Sequence, residues 1–133
     1  MDISKCRQEL KGLLTQEGKV VDVILGTKWI IKGGIYKTKT KCGKKGCKCA
    51  GGKELHDVWK LYRSKGGKTE TRSIKEEDVH KYGQYTEDYQ KYRQARAELV
   101  KLHWEQLMLV NLIEEGLRKE KASVEHKLFL KNR

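Results

Sequence analysis

The spacing of apolar residues predicts a helix at the start of the chain. From Ile3 to Leu14, apolar side chains recur mainly every three or four residues, which is the period of an amphipathic helix. Gly18 follows this run, and glycine is the residue type that most often ends a helix. We therefore expect a short helix within residues 1–18.

The next part of the chain predicts an antiparallel sheet, because residues 19–75 are rich in β-branched and aromatic side chains. Extended runs are expected at residues 19–25, 28–32 and 35–41. A turn is expected between the first two, at Gly26-Thr27.

Two further extended runs predict a β-hairpin. They are residues 58–64 and 68–74, and they flank Gly66-Gly67, a pair typical of two-residue hairpin turns. With the turn placed there, Arg63 faces Glu70 and Trp59 faces Ile74. An opposite-charge pair and an apolar pair then stabilise the same register.

The last part of the chain, residues 76–120, predicts helical structure. Gly83 predicts a break after a brief first helix, and a long helix is expected from about Thr86 to at least Lys119. Apolar residues cover more than one face of that helix, so both burial within the chain and self-association remain open. Residues 121–133 predict a charged tail.

These elements together predict an α+β fold, with an N-terminal helix, a small antiparallel sheet and a long C-terminal helix. With 133 residues, 37% apolar and 36% charged, the chain is expected to form a single domain with a modest core. The sequence shows neither a secretory signal nor a membrane span, so a cytoplasmic location without membrane contact is expected. In that reducing compartment cysteines are metal ligands or free thiols rather than disulfides.

Positive charge is concentrated in one third of the chain. The net charge is +12, and residues 27–75 carry all of the excess, with fifteen basic and three acidic groups. The segments before and after are each balanced. A field of one sign on one surface favours a polyanion, and nucleic acid, either DNA or RNA, is the predicted partner.

A cysteine-rich segment predicts a metal site. Cys42, Cys47, Cys49 and His56 follow the spacing C-x4-C-x-C-x6-H, with glycines that let the backbone turn around one ion. Sulfur and imidazole donors favour zinc, and four protein ligands leave no open position, so the expected role is structural.

Alternatives to this ligand set stay open. His80 competes with His56 for the fourth position, whereas Cys6 is expected to be a core residue of the first helix. An iron–sulfur centre is less suited, since no fourth cysteine lies nearby. In the metal-free alternative, the three cysteines are free thiols.

The predicted nucleic-acid contacts are basic and aromatic residues of the sheet and the cysteine segment. Lys37, Lys39 and Lys41 alternate with other residues, so an extended strand places them on one face about 6.6 Å apart. The full predicted set is Tyr36, Lys37, Lys39, Lys41, Lys44, Lys45, Lys48, Lys53, Lys60, Tyr62, Arg63, Lys68 and Arg72. Trp29 and Trp59 are expected in the core.

The cysteine segment begins with the motif Cys-Gly-Lys-x-x-Cys-x-Cys-Ala. A glycine run, a histidine, the strand Val-Trp-Lys-Leu-Tyr-Arg and Gly-Gly-Lys follow it. This order of motifs resembles a family of small uncharacterised prokaryotic proteins often found with mobile elements. The resemblance covers residues from about 40 to 96. The family commonly has Gly-Pro and several tyrosines after the histidine, where this chain has Asp57-Val58-Trp59. The resemblance implies a cysteine-centred knuckle, a hairpin and a helix, and no established activity.

The function expected from these features is a zinc-stabilised nucleic-acid-binding accessory protein of a mobile element, phage or defence system. Catalysis is not expected, because the basic region offers few groups to act as a general base and no phosphate-binding glycine loop is present. The alternative is a protein–protein adaptor or dimerisation module that uses the long C-terminal helix.

Overall fold

The computed structural model describes residues 2–40, 55–118 and 127–130. The structure has an N-terminal helix, a sheet of three antiparallel strands and a long helix, so the α+β class is confirmed. In the described part of the chain, no helix is long and apolar enough to cross a membrane.

The N-terminal helix, α1, is Ile3–Gly26 and is longer than predicted. The expected end at Gly18 and the expected strand at residues 19–25 are therefore wrong. Val20 and Ile24 are half-buried and continue the three- and four-residue spacing set by the preceding turns. This helical period outweighs the strand propensity of the β-branched residues, and Gly18 is accommodated on the exposed side.

The connection after α1, residues 27–32, contains no strand, so the strand expected at 28–32 is also wrong. Trp29 is 74% exposed, which corrects the expectation that it belongs to the core. The segment is held by backbone hydrogen bonds from Ile31 N to Tyr85 O, 3.1 Å, and from Ser64 N to Lys32 O, 2.9 Å.

The sheet has three antiparallel strands, β1 at Gly33–Thr40, β2 at His56–Lys65 and β3 at Lys68–Ile74, in the order β1-β2-β3. The hairpin register is confirmed, with Arg63 opposite Glu70 and Trp59 opposite Ile74. Gly66 and Gly67 have φ values of +58° and +79°, the left-handed conformation that a two-residue turn of this kind requires.

The C-terminal helix, α2, is Val79–Leu117 and follows a short 3₁₀ turn at Glu76–Asp78. The predicted break at Gly83 and the predicted start at Thr86 are wrong, since the helix runs through both residues. Thr86 is buried, and its hydroxyl donates to Gly83 O at 3.0 Å. A backbone carbonyl within the helix thus accepts a hydrogen bond from the Thr86 hydroxyl, the group that suggested a helix start.

The described residues form two compact units. The first contains the described parts of residues 1–24 and 95–133, where α1 packs antiparallel to the end of α2. A Cβ at Gly116 would lie 2.7 Å from Ile3, and His103 Nε2 lies 2.7 Å from Glu17 Oε1. Cys6 and Leu102 are buried between these helices, at 4% and 1% exposure.

The second unit contains the described part of residues 25–94, which is the sheet with the first half of α2. Gly83 faces Ile35 of β1, because a Cβ at Gly83 would lie 3.8 Å from Ile35 Cδ1. This is an ordinary van der Waals distance, so the glycine is not required for packing at this point.

Two glycine substitutions are expected to change stability in opposite directions. Gly83→Ala should stabilise by up to about 1 kcal/mol, since alanine favours the helix and the contact with Ile35 is relaxed. Gly33→Ala should destabilise by about 1–3 kcal/mol, because its Cβ would collide with the carbonyl oxygen of Tyr62 in the neighbouring strand. Urea unfolding measures both, and equal effects from the two variants would contradict the packing described here.

Candidate nucleic-acid interface

The sheet presents two chemically different faces. Successive residues of a strand point to opposite faces and cross-strand partners share one, so the register assigns every side chain. We call one the Trp59 face; it carries Ile35, Lys37, Lys39, Asp57, Trp59, Leu61, Arg63, Lys65, Lys68, Glu70, Arg72 and Ile74. The other is the Tyr62 face; it carries Tyr36, Thr38, Thr40, His56, Val58, Lys60, Tyr62, Ser64, Thr69, Thr71 and Ser73.

This alternation divides the predicted contact residues. Lys37 and Lys39 do share a face, and Arg63, Lys68 and Arg72 lie on that face with them. The two aromatic contacts and one lysine lie on the opposite face: Tyr36, Lys60 and Tyr62. The structure therefore does not bring the predicted aromatic and cationic contacts onto one surface.

On the Trp59 face, several cations already have acidic neighbours. Lys37 Nζ lies 3.6 Å from Asp57 Oδ2 and 5.5 Å from the centre of the Trp59 ring. Arg63 Nη2 lies 2.9 Å from Glu70 Oε2. These side chains are about half exposed, and exposed ion pairs contribute only about 0–1 kcal/mol, so a phosphate can displace the carboxylates at little cost.

On the Tyr62 face, two aromatic rings lie side by side. The ring centres of Tyr36 and Tyr62 are 6.1 Å apart with an angle of 43° between the planes, and the residues are 42% and 40% exposed. Lys60, the cross-strand partner of Tyr36, donates from Nζ to Ser73 Oγ at 2.9 Å. The rest of β3 on this face is exposed hydroxyl side chains.

Gly34 creates the space that Tyr62 occupies. It is the cross-strand partner of Tyr62, and a Cβ built there would lie 2.6 Å from Tyr62 Oη and 2.8 Å from Cζ. The missing side chain lets the tyrosine lie across the neighbouring strand. An aromatic ring over a glycine is a recognised way to complete a sheet surface.

A groove of about 250 Å³ opens beside Tyr62. Apart from Tyr62, its lining residues were not predicted from the sequence; Lys32 precedes β1, and Tyr89 and Gln90 belong to α2. No local pattern marks Gln90 in the sequence, because only the folded unit brings that helix position next to the strands. The remaining lining residues are Gly33, Tyr62, Ser64 and Thr69.

The predicted metal site lies largely outside the described residues. This applies to its three cysteines, Cys42, Cys47 and Cys49, and to the predicted contacts Lys41, Lys44, Lys45, Lys48 and Lys53. Within the described ranges, no group of three histidine, cysteine or acidic residues is placed to hold a metal ion.

Of the candidate fourth ligands, His56 has the most favourable position. It begins β2 and pairs with Thr40, the last residue of β1, so it lies where the cysteine segment leaves and rejoins the sheet. His80 is an exposed residue of α2, and Cys6 is buried in α1. Of these three, His56 is therefore the residue that lies at the described ends of the cysteine segment.

A family model described as Domain of unknown function (DUF6788) matches residues 4–84, which is more than half of the chain. The chain belongs to this family. The match covers α1, the sheet and the start of α2, and so begins well before the residues on which the resemblance rested. None of the curated proteins and none of the solved structures matches the chain.

Metal analysis separates the candidate ligands. Protein purified without chelator is expected to carry about one zinc per chain, and Cys47→Ser should lower the zinc content because it removes one of the three thiolate ligands. His56→Asn should also lower the zinc content, whereas His80→Asn and Cys6→Ala should leave it unchanged. Mass spectrometry under native conditions measures the content, and a metal-free wild-type protein would remove the assignment.

Proposed function

We propose that the protein binds nucleic acid, mainly through the backbone phosphates, with the sheet and the cysteine segment as its contact surface. The observation that supports this proposal is the location of the charge. All of the net charge of +12 belongs to residues 27–75, and the described part of that stretch is the three-stranded sheet with its flanking connections. The described residues 27–40 and 55–75 carry ten of the fifteen basic groups and two of the three acidic ones. This concentration of positive charge favours phosphates over a neutral ligand.

A zinc ion held by Cys42, Cys47, Cys49 and His56 would fix the basic segment to the sheet. The pairing of Thr40 with His56 brings the two ends of that segment together, since directly opposed residues of antiparallel strands lie about 4.5–5.5 Å apart. Zinc with four protein ligands is a structural centre. The proposal therefore assigns the protein a binding role without catalysis.

Recognition of sequence in a major groove is not part of this proposal. Helix α2 carries five basic and six acidic residues, and two of its lysines pair with acids one turn away, such as Lys91 with Glu87 at 3.6 Å. A recognition helix that enters a groove needs side chains available for base edges. We place the protein as an accessory factor of a mobile element, phage or defence system on the sequence resemblance alone.

Charge reversal on β1 tests the proposal. Lys37→Glu, Lys39→Glu and Lys41→Glu combined should weaken binding to mixed-sequence nucleic acid by at least about tenfold at low salt. The slope of log K against log salt should fall by about 0.7–0.9 for each phosphate contact that is lost. Fluorescence anisotropy at several salt concentrations measures both quantities.

The matched control places the same charge change on α1. Lys5→Glu, Lys11→Glu and Lys19→Glu remove the same number of positive charges from exposed positions in the other unit. Binding should change less than in the β1 variant. Failure of the wild-type protein to bind either DNA or RNA at low salt would contradict the proposal and favour the alternative below.

The second candidate is a dimerisation module, and an exposed apolar stripe on α2 favours it. Val100, Trp104 and Leu107 follow helical spacing and are 46%, 66% and 55% exposed. The opposite side of the helix is occupied by α1, where Leu102 is buried. Monomeric proteins rarely leave a tryptophan this exposed within such a stripe.

Charges at the two ends of the stripe select an antiparallel second copy. Arg96 and Glu114 are both exposed and stand 18 residues apart, which is five turns of about 3.6 residues, so they lie on the same side of α2. Trp104 lies close to the midpoint between them. When two α2 helices cross antiparallel there, Arg96 of each copy lies near Glu114 of the other, whereas a parallel pair would oppose like charges.

A charge swap tests this arrangement. Arg96→Glu or Glu114→Arg alone should weaken self-association by a few-fold to about tenfold, and the double variant should restore it. Trp104→Ala should weaken it by about tenfold or more. Sedimentation velocity across a concentration series measures the effect, with Glu98→Arg as the control on the same helix. Persistent monomer at every concentration would exclude dimerisation through this stripe.

A further inference from the structure

We infer that the Tyr62 face binds unpaired bases, so that the preferred ligand is a single-stranded nucleic acid rather than a duplex. The inference rests on the proposed function and adds the class of ligand to it. It comes from the separation of aromatic and cationic side chains between the two faces of the sheet. The decisive residues are Tyr36 on β1 and Tyr62 on β2, together with Lys60, the cross-strand partner of Tyr36.

The two rings are placed as a stacking platform. They lie 6.1 Å apart on adjacent strands, are inclined by 43°, and are exposed although each has a cross-strand neighbour. An exposed aromatic pair on an open antiparallel sheet suits the flat surface of a base, since every base has such a surface. The rings are not needed to fill the core, because Ile35, Trp59 and Leu61 occupy the other face.

The charge on the Tyr62 face is too small for duplex binding. Lys60 is the one lysine or arginine that β1, β2 and β3 place on it, and Lys60 already donates to Ser73. A duplex offers phosphates on its outside and keeps its bases stacked within, so a surface for duplex DNA or RNA needs cations rather than rings. A single strand offers bases that can turn toward the protein.

The groove that Tyr62 helps to line adds polar groups, and stacking alone provides no hydrogen bonds to the edge of a base. Gln90 carries both an amide donor and an amide acceptor, Ser64 and Thr69 carry hydroxyls, and Lys32 adds a positive charge for a phosphate. The groove, of about 250 Å³, has Tyr62 among its lining residues. These groups are polar partners for a base edge or a phosphate that enters the groove.

Gly34 keeps this platform in place. The Tyr62 ring lies in the space that a side chain at Gly34 would occupy. On the other side of β2, Tyr62 pairs with Thr71 of β3. Less reorganisation is then needed when a base arrives, which lowers the entropic cost of binding. The platform is thus positioned by β-sheet pairing before any ligand is present.

The test compares four probes of one length and sequence: single-stranded DNA, single-stranded RNA, the DNA duplex and an abasic DNA strand that keeps the phosphates. The full-length wild-type protein should bind the single strands at least about tenfold more tightly than the abasic strand. It should also prefer them to the duplex. The two single-strand arms show whether DNA or RNA is favoured.

Variants of the two tyrosines assign the difference to the rings. Tyr36→Ala and Tyr62→Ala should each weaken single-strand binding by about 5- to 100-fold while binding to the abasic strand stays within about twofold. Tyr36→Phe and Tyr62→Phe keep the ring and should retain most of the affinity. Circular dichroism and the urea midpoint of each variant separate lost stacking from lost folding.

The outcomes distinguish this inference from the proposed function. Equal binding of the wild-type protein to the abasic strand, or to the duplex, would overturn the inference while nucleic-acid binding remained. Equal losses in the alanine and phenylalanine variants would also overturn it, because the ring would then not be the contact. Absence of binding to all four probes at low salt would remove the proposed function itself.

Discussion

The pairing of β1 with β2 is the constraint on which the other features depend. It aligns Thr40 with His56 and so closes the chain around the cysteine segment. The same register alternates side chains strictly between two faces, because the side-chain period of a strand is two. A shift of β1 by one residue would move Tyr36 to the Trp59 face and Lys37 to the Tyr62 face, and so would separate the two rings. The position of His56 beside the cysteine segment and the chemistry of the two sheet faces therefore both follow from the register of β1 with β2.

Local interactions explain which parts of the fold the sequence predicts well. The hairpin of β2 and β3 follows from Gly66-Gly67 and from side chains only a few residues away, such as Arg63 and Glu70. The strand predicted at residues 19–25 fails for the opposite reason. Its β-branched residues have strand propensity, but packing of the periodic apolar positions against another helix decides the outcome, and that partner is about eighty residues away in the sequence.

The same distinction applies to the candidate site. Sequence alone locates the charge excess in residues 27–75 and places Lys37 and Lys39 on one face of a strand. It cannot show which face the first half of α2 covers, because the contact of Gly83 with Ile35 joins residues far apart in the chain. Gln90 escapes notice for the same reason, since it reaches the groove beside Tyr62 only through the fold.

Rings on one face and cations on the other are compatible with a single binding surface, because the two groups act over different distances. Electrostatic attraction is screened over about 8 Å at physiological ionic strength, which is similar to the thickness of one sheet layer, about 10 Å. At low salt, Lys39 and Arg72 therefore still attract phosphates that approach the opposite side. Stacking on Tyr36 or Tyr62 requires contact and is insensitive to salt by comparison. Under the proposed function, the cations would set how fast and how strongly a polyanion is drawn to the sheet, and the rings would favour polyanions with accessible bases. High salt should then leave the discrimination between bases and bare phosphates intact while total affinity falls.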